Sequence, residues 1–285
     1  MILAGYECTG CFVHQINKVI SIACKDFKEN EKIEIFKKAI RFLSEVDFNE
    51  TPPEIARKLY NFLYKITQNV DPFEKIKDET NKIAENYVKN LRLEDIDLHD
   101  CIKYAVAGNV IDFGIAGNEF DVEKIRNFNL QIDHFNEFYT LLKKSKNLLY
   151  LVDNSGEIIF DKILLKKIKF EFPEIKIIVA GRESNIINDI TYKDLINLGF
   201  NLEFNVISTG YSGAGVYLDK CSDNFKNIFF SSDVIISKGQ GNFETLYGEK
   251  SVNIFFALKI KCNHVSNKTK IPKGSNVFIF NKLSW

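Results

Sequence analysis

The feature that most constrains this chain is a change of hydrophobic period near residue 146. On the amino-terminal side, apolar residues recur three or four positions apart, as Val13, Ile16, Ile20, Ala23 and Phe27, then Ile33, Phe36, Ile40 and Leu43. Such spacing lines one face of a helix. Thr9 is placed to cap the first of these helices, and Pro52-Pro53 suit the opening turn of the third, with Ile55, Leu59, Leu63 and Ile66 behind them. Asp71-Pro72 opens a fourth, and the stretch from Leu98 to Val110 reads as a fifth.

Beyond Lys146 the pattern becomes short apolar runs that end in polar or glycine-bearing loops, each followed by a helical pattern. Leu148 to Val152 precedes Asp153-Asn154-Ser155-Gly156, and Ile175 to Ala180 precedes Gly181-Arg182-Glu183. Leu202 to Ile207 precedes Ser208-Thr209-Gly210, and Val234 to Ser237 precedes Lys238-Gly239-Gln240-Gly241-Asn242. Val252 to Leu258 and Val277 to Phe280 complete the set. Continuous rather than alternating hydrophobicity suits strands covered on both faces. The expected fold is α/β: an α/β/α sandwich with a mostly parallel sheet over residues 147–285, preceded by a mainly helical domain over residues 1–146.

Charge then narrows the function classes. Thirty-eight basic and thirty-eight acidic residues cancel, so no global field draws the chain onto nucleic acid or a lipid surface. A bound phosphate must be held by local groups. The opening residues lack a basic segment followed by a long apolar run, and no stretch is free of charge for a bilayer crossing; the expected location is cytoplasmic. The six cysteines are scattered apart from Cys8-x-x-Cys11, which has His14 nearby. A structural zinc needs four ligands, and no second Cys-x-x-Cys completes this pair, so thiols buried at a helix start are the plainer reading.

In open α/β sheets, ligands bind beyond the carboxyl ends of the strands. Asp153 and Asn154 leave the first strand there, offering a carboxylate and an amide carbonyl to a hard cation. Asp189, from Asn188-Asp189-Ile190-Thr191, is a candidate third oxygen, with Thr191 capping the next helix. Taken alone, either pair is as readily a turn or a cap. Ser155 and Gly156 open a helix whose N-terminus would face an anion. Lys238, followed by Gly239, Gln240, Gly241 and Asn242, offers one charge and several backbone amides to a phosphate, without the spacing of a Walker loop. Glu244 either positions Lys238 or occupies the first helical turn. Asn109 and Asp112, near the end of the fifth helix, either reach this pocket or cap that helix.

These pieces occur in an order that resembles the damage-control phosphatase family, also known as domain of unknown function 89, in its small prokaryotic and archaeal branch. The resemblance rests on Glu7-Cys8-Thr9-Gly10-Cys11, Ala107-Gly108-Asn109-Val110-Ile111-Asp112, Asp153-Asn154-Ser155-Gly156-Glu157 and Asn188-Asp189-Ile190-Thr191. It continues through Lys238-Gly239-Gln240-Gly241-Asn242-Phe243-Glu244 and Lys259-Ile260-Lys261-Cys262. It implies a metal-dependent phosphatase acting on phosphate monoesters of small metabolites. By the same resemblance Asp153, Asn154 and Asp189 hold the metal (Mg²⁺ or Mn²⁺, with Co²⁺ or Ni²⁺ as further candidates) and Lys238 holds the phosphate. Asn109 and Asp112 match the family's Gly-Asn-x-x-Asp segment. Relatives often carry a proline before Asn-Asp that the stretch from Arg182 to Ile187 lacks, a departure that bears on the match of Arg182 more than on that of Asp189.

The expected nucleophile is water, with an aspartyl-phosphate on Asp153 as the alternative. A haloacid-dehalogenase-like site would need a second Asp where this chain has Ser155. A non-catalytic module that captures a phosphorylated metabolite or nucleotide would keep Lys238 and the glycines, but would have no use for three converging metal oxygens.

Overall fold

A computed structural model describes residues 1–89, 91–108 and 129–283. Its amino-terminal helices are α1 (Cys8–Ala23), α2 (Glu29–Glu45), α3 (Pro52–Thr67), α4 (Glu74–Val88) and α5 (Leu98–Gly108). Pro52 and Pro53 do open α3. Thr9 lies inside α1 rather than at its cap, and its hydroxyl donates to the Tyr6 carbonyl at 2.7 Å. The apolar stripes of α1, α2 and α3 pack on one another around Ile16, Val19, Ala39, Leu59 and Leu63.

The sheet region runs β1 (Ile132–Asp133), α6 (Phe135–Leu142), β2 (Asn147–Leu151), α7 (Glu157–Glu171), β3 (Lys176–Gly181) and α8 (Tyr192–Asn197). It continues with β4 (Asn205–Ser208), α9 (Asp223–Ser231), β5 (Val234–Lys238), α10 (Gly239–Leu246), β6 (Ile254–Lys259), α11 (Asn263–Thr269) and β7 (Asn276–Phe280). Two differences from the sequence reading have local causes. Residues Phe200–Leu202 form a 3-10 turn after the left-handed Gly199, so β4 begins later than its apolar run. β1 spans two residues, too short to leave a periodic signal.

The seven strands lie in the order β1-β7-β6-β5-β2-β3-β4. Neighbours pair in parallel except β6 with β7, which are antiparallel. Alternate residues of one strand feed opposite cores: Leu148, Tyr150 and Val152 face α5 and α7, whereas Leu149 and Leu151 face the layer containing Phe225, Phe229 and Phe243. Burial on both faces is the reason the strands read as unbroken apolar runs. From β2 the chain steps to β3 and β4 on one side, then crosses to β5 and β6 on the other. The carboxyl ends of β2 and β5 therefore flank the point where the connections diverge.

Candidate functional site

At that point two turns are joined by their backbones. The Ile190 amide donates to the Asp153 carbonyl at 2.8 Å, the Ser155 amide donates to the Asn188 carbonyl at 2.9 Å, and Asn154 and Asp189 form an antiparallel bridge. This ladder brings Asp153, Asn154 and Asp189 together from two loops. Thr191 caps α8 as expected, its hydroxyl accepting the Asp194 amide at 3.0 Å. Both aspartates are buried, and Asn154 is half-buried with its Nδ2 donating to Asp153 Oδ2 at 2.7 Å.

Arg182, which the sequence reading left aside, is the cation of this cluster. Its Nε donates to Asp189 Oδ2 at 2.9 Å, and its Nη1 to Asn242 Oδ1 at 2.9 Å. Its Nη2 stands 3.7 Å from Asp153 Oδ1 and has no hydrogen-bond partner among the described residues. Asn242 in turn donates to the carbonyls of Lys238 at 2.8 Å and Val152 at 3.2 Å, tying β2 to β5. Gly239 has φ of 78°, and a Cβ there would fall inside the Asp153 carboxylate. Only glycine lets the first turn of α10 come so close.

Lys238 is not where the sequence reading put it, with its ammonium opposite the carboxylates. The side chain is fully buried, and Nζ donates to the Ala105 carbonyl at 2.8 Å, to Asp161 Oδ1 at 2.8 Å and to the Glu157 carboxylate. Lysine has three donors and no acceptor, and all three are taken. Glu157 and Asp161 lie one turn apart on α7, and Ala105 is in the last turn of α5, where carbonyls lack helical partners. Glu244 does not hold Lys238 either, since its Oε1 accepts from Gln240 Nε2 at 2.9 Å.

The other expected residues divide. Ser155 is buried at the cleft, its Oγ accepting from Thr80 Oγ1 at 3.0 Å. The Gly156 amide is used by Asn81 Oδ1 at 2.6 Å, so neither of these amides faces an anion as expected. Gln240 and Gly241 line the cleft, and Gln240 Oε1 accepts the Lys261 amide at 2.8 Å. Asn109 and Asp112 lie outside the described residues.

The cleft has a volume of 1260 Å³. One wall comes from the helical part through Phe12, Pro53, Phe73 and Ile76, and the other carries Asp153, Asn154, Asp189, Gln240 and Lys261. Burial, then Asp189 and Glu157, push the Asp153 carboxyl up, against Lys261 and Arg182. Burial also raises Asp189, opposed by Arg182. Four buried carboxylates (Asp153, Asp189, Glu157, Asp161) thus meet two buried cations (Arg182, Lys238), and fully ionised they carry an excess of two negative charges.

A hard divalent cation fits that donor set: two carboxylates and an amide oxygen at one place, with negative charge left uncompensated around them. Among the described residues no group of three or more His, Cys, Asp or Glu could hold a metal ion, and this candidate set contains two such residues plus Asn154. Cys8 is buried, while Cys11 is exposed rather than buried, and all six cysteines are free. Among the described residues no helix is long and apolar enough to cross a membrane.

Residues 4–277 match the family described as damage-control phosphatase ARMT1-like domain. A damage-control phosphatase of Pyrococcus horikoshii is 39% identical over 98% of this chain and 98% of its own length. An uncharacterized protein of Methanocaldococcus jannaschii is 33% identical, over 96% of this chain and 94% of its own. The crystal structure of a domain-of-unknown-function-89 protein from Pyrococcus horikoshii superposes with a TM-score of 0.90 at 34% identity, covering 99% of this chain and all of that one.

Proposed function

We infer that this chain, which belongs to the damage-control phosphatase family defined by the ARMT1-like domain, hydrolyses phosphate monoesters of small metabolites with the aid of one hard divalent cation. Sugar phosphates, phosphorylated cofactor fragments and damaged metabolites are the substrate class. The observation that carries this reading is the convergence of Asp153, Asn154 and Asp189 at the strand switch point, beside a buried excess of negative charge.

Asp153, Asn154 and Asp189 would hold the cation, with Mg²⁺ or Mn²⁺ preferred by their oxygen donors and Co²⁺ or Ni²⁺ as alternatives. When bound, it supplies Lewis-acid polarisation of a phosphoryl oxygen and of an attacking water. Arg182 orients Asp189 and opposes the effect of burial on its carboxyl, and Asn242 keeps Arg182 in place. The first-turn amides of α10, at Gly239 to Gly241, lie on the same edge and suit the remaining phosphate oxygens. Asn109 and Asp112 belong to this proposal on their sequence match alone.

The two lysines take different parts. Lys238 acts from beneath, offsetting Glu157 and Asp161 so that the floor of the site is not more negative still. Lys261 is exposed on the loop after β6, lines the cleft, and its charge acts on Asp153. We assign the phosphate-facing ammonium to Lys261.

The test is release of inorganic phosphate from a panel of metabolite monoesters with Mg²⁺, Mn²⁺, Co²⁺ or Ni²⁺, by the wild type and by Lys261→Ala. We expect metal-stimulated turnover, and a KM about 10- to 100-fold higher in the variant, the loss of one charged hydrogen bond. Tight binding of the esters without release would replace the enzyme by a capture module. An unchanged KM would remove Lys261 from the site.

A further inference from the structure

Breaking the phosphorus–oxygen bond of an alkyl phosphate leaves an alkoxide, which needs a proton from a group beside the cleft. The carboxylates assigned to the cation serve as anions and cannot supply it. Glu244 is placed differently. It sits in the second turn of α10, is buried, and lines the cleft. Helical side chains lean toward the N-terminus of their helix. Its carboxyl therefore comes level with the first turn, where Oε1 meets Gln240 Nε2 at 2.9 Å.

Gln240 is itself held, its Oε1 accepting the Lys261 amide at 2.8 Å, so α10 and the loop after β6 meet beside this carboxyl. The backbone of α10 is tied to the N-terminal segment by the Ile2 amide, which donates to the Glu244 carbonyl at 2.8 Å. The charged and titratable groups that bear on it are Lys261 from that loop, and Cys8 and Cys11 from α1. Lys261 acts on Asp153 as well, and all three residues line the same cleft. Burial pushes the Glu244 carboxyl up to about 8, against Gln240 and Lys261, so it carries its proton at neutral pH.

We propose that Glu244 is the general acid of this site, protonating the ester oxygen as it leaves. The assignment rests on the phosphatase reading above. The oxygen of water forms a bond to phosphorus while the bond to the ester oxygen breaks. The carboxyl proton of Glu244 passes to that oxygen, giving the alcohol. The proton released by the attacking water restores Glu244, and hydrogen phosphate is the second product. Glycerol phosphate needs this proton, whereas 4-nitrophenyl phosphate, whose phenolate is stable at neutral pH, needs it less.

The test compares kcat/KM for these two esters in the wild type and Glu244→Gln, with the metal held constant. We expect the glycerol ester to lose about 10²- to 10⁴-fold and the nitrophenyl ester clearly less. In the wild type, kcat/KM for the glycerol ester should fall as pH rises through about 8, where the acid loses its proton, and Glu244→Gln should lack that limb. Infrared titration of the metal-free protein supplies a readout independent of turnover: a buried protonated carboxyl that titrates near 8 and is missing in the variant. Equal losses on both esters, an alkaline limb that survives the substitution, or a Glu244 carboxyl that titrates in the ordinary carboxylate range would each overturn the assignment. Because burial raises the Asp153 carboxyl as well, the titration is assigned by its loss on substitution, and Glu244→Asp, which keeps a carboxyl, supplies the comparison where Glu244→Gln folds poorly. A wild type inactive on both esters with every metal would end the phosphatase reading itself, and this assignment with it; an active wild type with a flat leaving-group response would end Glu244 alone.

Discussion

Lys238 illustrates how much a side chain's neighbours decide. Its position at the end of a buried strand and before two glycines was legible in the sequence, as was the meeting of Asp153, Asn154 and Asp189 at one sheet edge, because turns after apolar runs have a readable place in an α/β sheet. The direction of the lysine was not. It depends on Glu157 and Asp161 of α7 and on Ala105 of α5, which come together only when both helices pack under β5. Arg182 was missed for a related reason: a charged residue in a loop reads as solvated until its two carboxylate neighbours are known. If Lys238 supports the site from beneath, Lys238→Met should cost about 3–5 kcal/mol of stability by leaving buried carboxylates without their counter-charge. Those carboxyls would then hold protons in the folded state more tightly than in the unfolded one, so the deficit should grow as pH rises from 5 to 8. Urea unfolding at both pH values checks this. A stability equal to wild type at pH 8 would show that Nζ is not committed to Glu157 and Asp161.

Among the elements, α4 has a role that no local pattern announced. Three residues within little more than one turn tie it to the loops after β2 and β3 and to α8. Lys77 Nζ reaches Asp194 Oδ2 at 3.0 Å and Asn185 Oδ1 at 3.2 Å, Thr80 donates to Ser155, and Asn81 accepts the Gly156 amide. Polar residues on a helix read as its solvent face, so only the packing of α4 against α7 reveals them as struts. Strand positions, by contrast, were legible almost to the residue wherever both faces are buried, and failed where β1 is two residues long or where Phe200–Leu202 coils first. Asn81→Ala should leave the Gly156 amide unsatisfied at a cost of about 1–3 kcal/mol. If the proposed site is right, it should also weaken the metal-stimulated reaction about 10- to 100-fold, because this bond fixes the turn that carries Asn154. Unfolding curves and metal titrations of activity measure the two effects. Wild-type values for both would reduce α4 to a covering helix.

For the whole molecule, the cleft exists because a helical layer and a sheet edge are clamped together. Glu54 of α3 is fully buried and takes Arg57 at 2.7 Å, Lys220 at 2.7 Å and the Tyr211 hydroxyl. These partners overcome the cost of burial and hold its carboxyl down at about 2. The apolar wall of the cleft is thereby fixed opposite the polar one, and the strand order sets Asp153 against Gly239 at the centre. What remains is the charge of the buried cluster beneath the cleft, where Asp153, Asp189, Glu157 and Asp161 exceed Arg182 and Lys238 by two negative units when all six are ionised. Binding of Mn²⁺ to the metal-free protein, followed by electron paramagnetic resonance, measures it most directly. One ion per chain in the wild type, and none in folded Asp153→Asn or Asp189→Asn, is the expected result. Equal Mn²⁺ occupancy in all three proteins would contradict the site at its root.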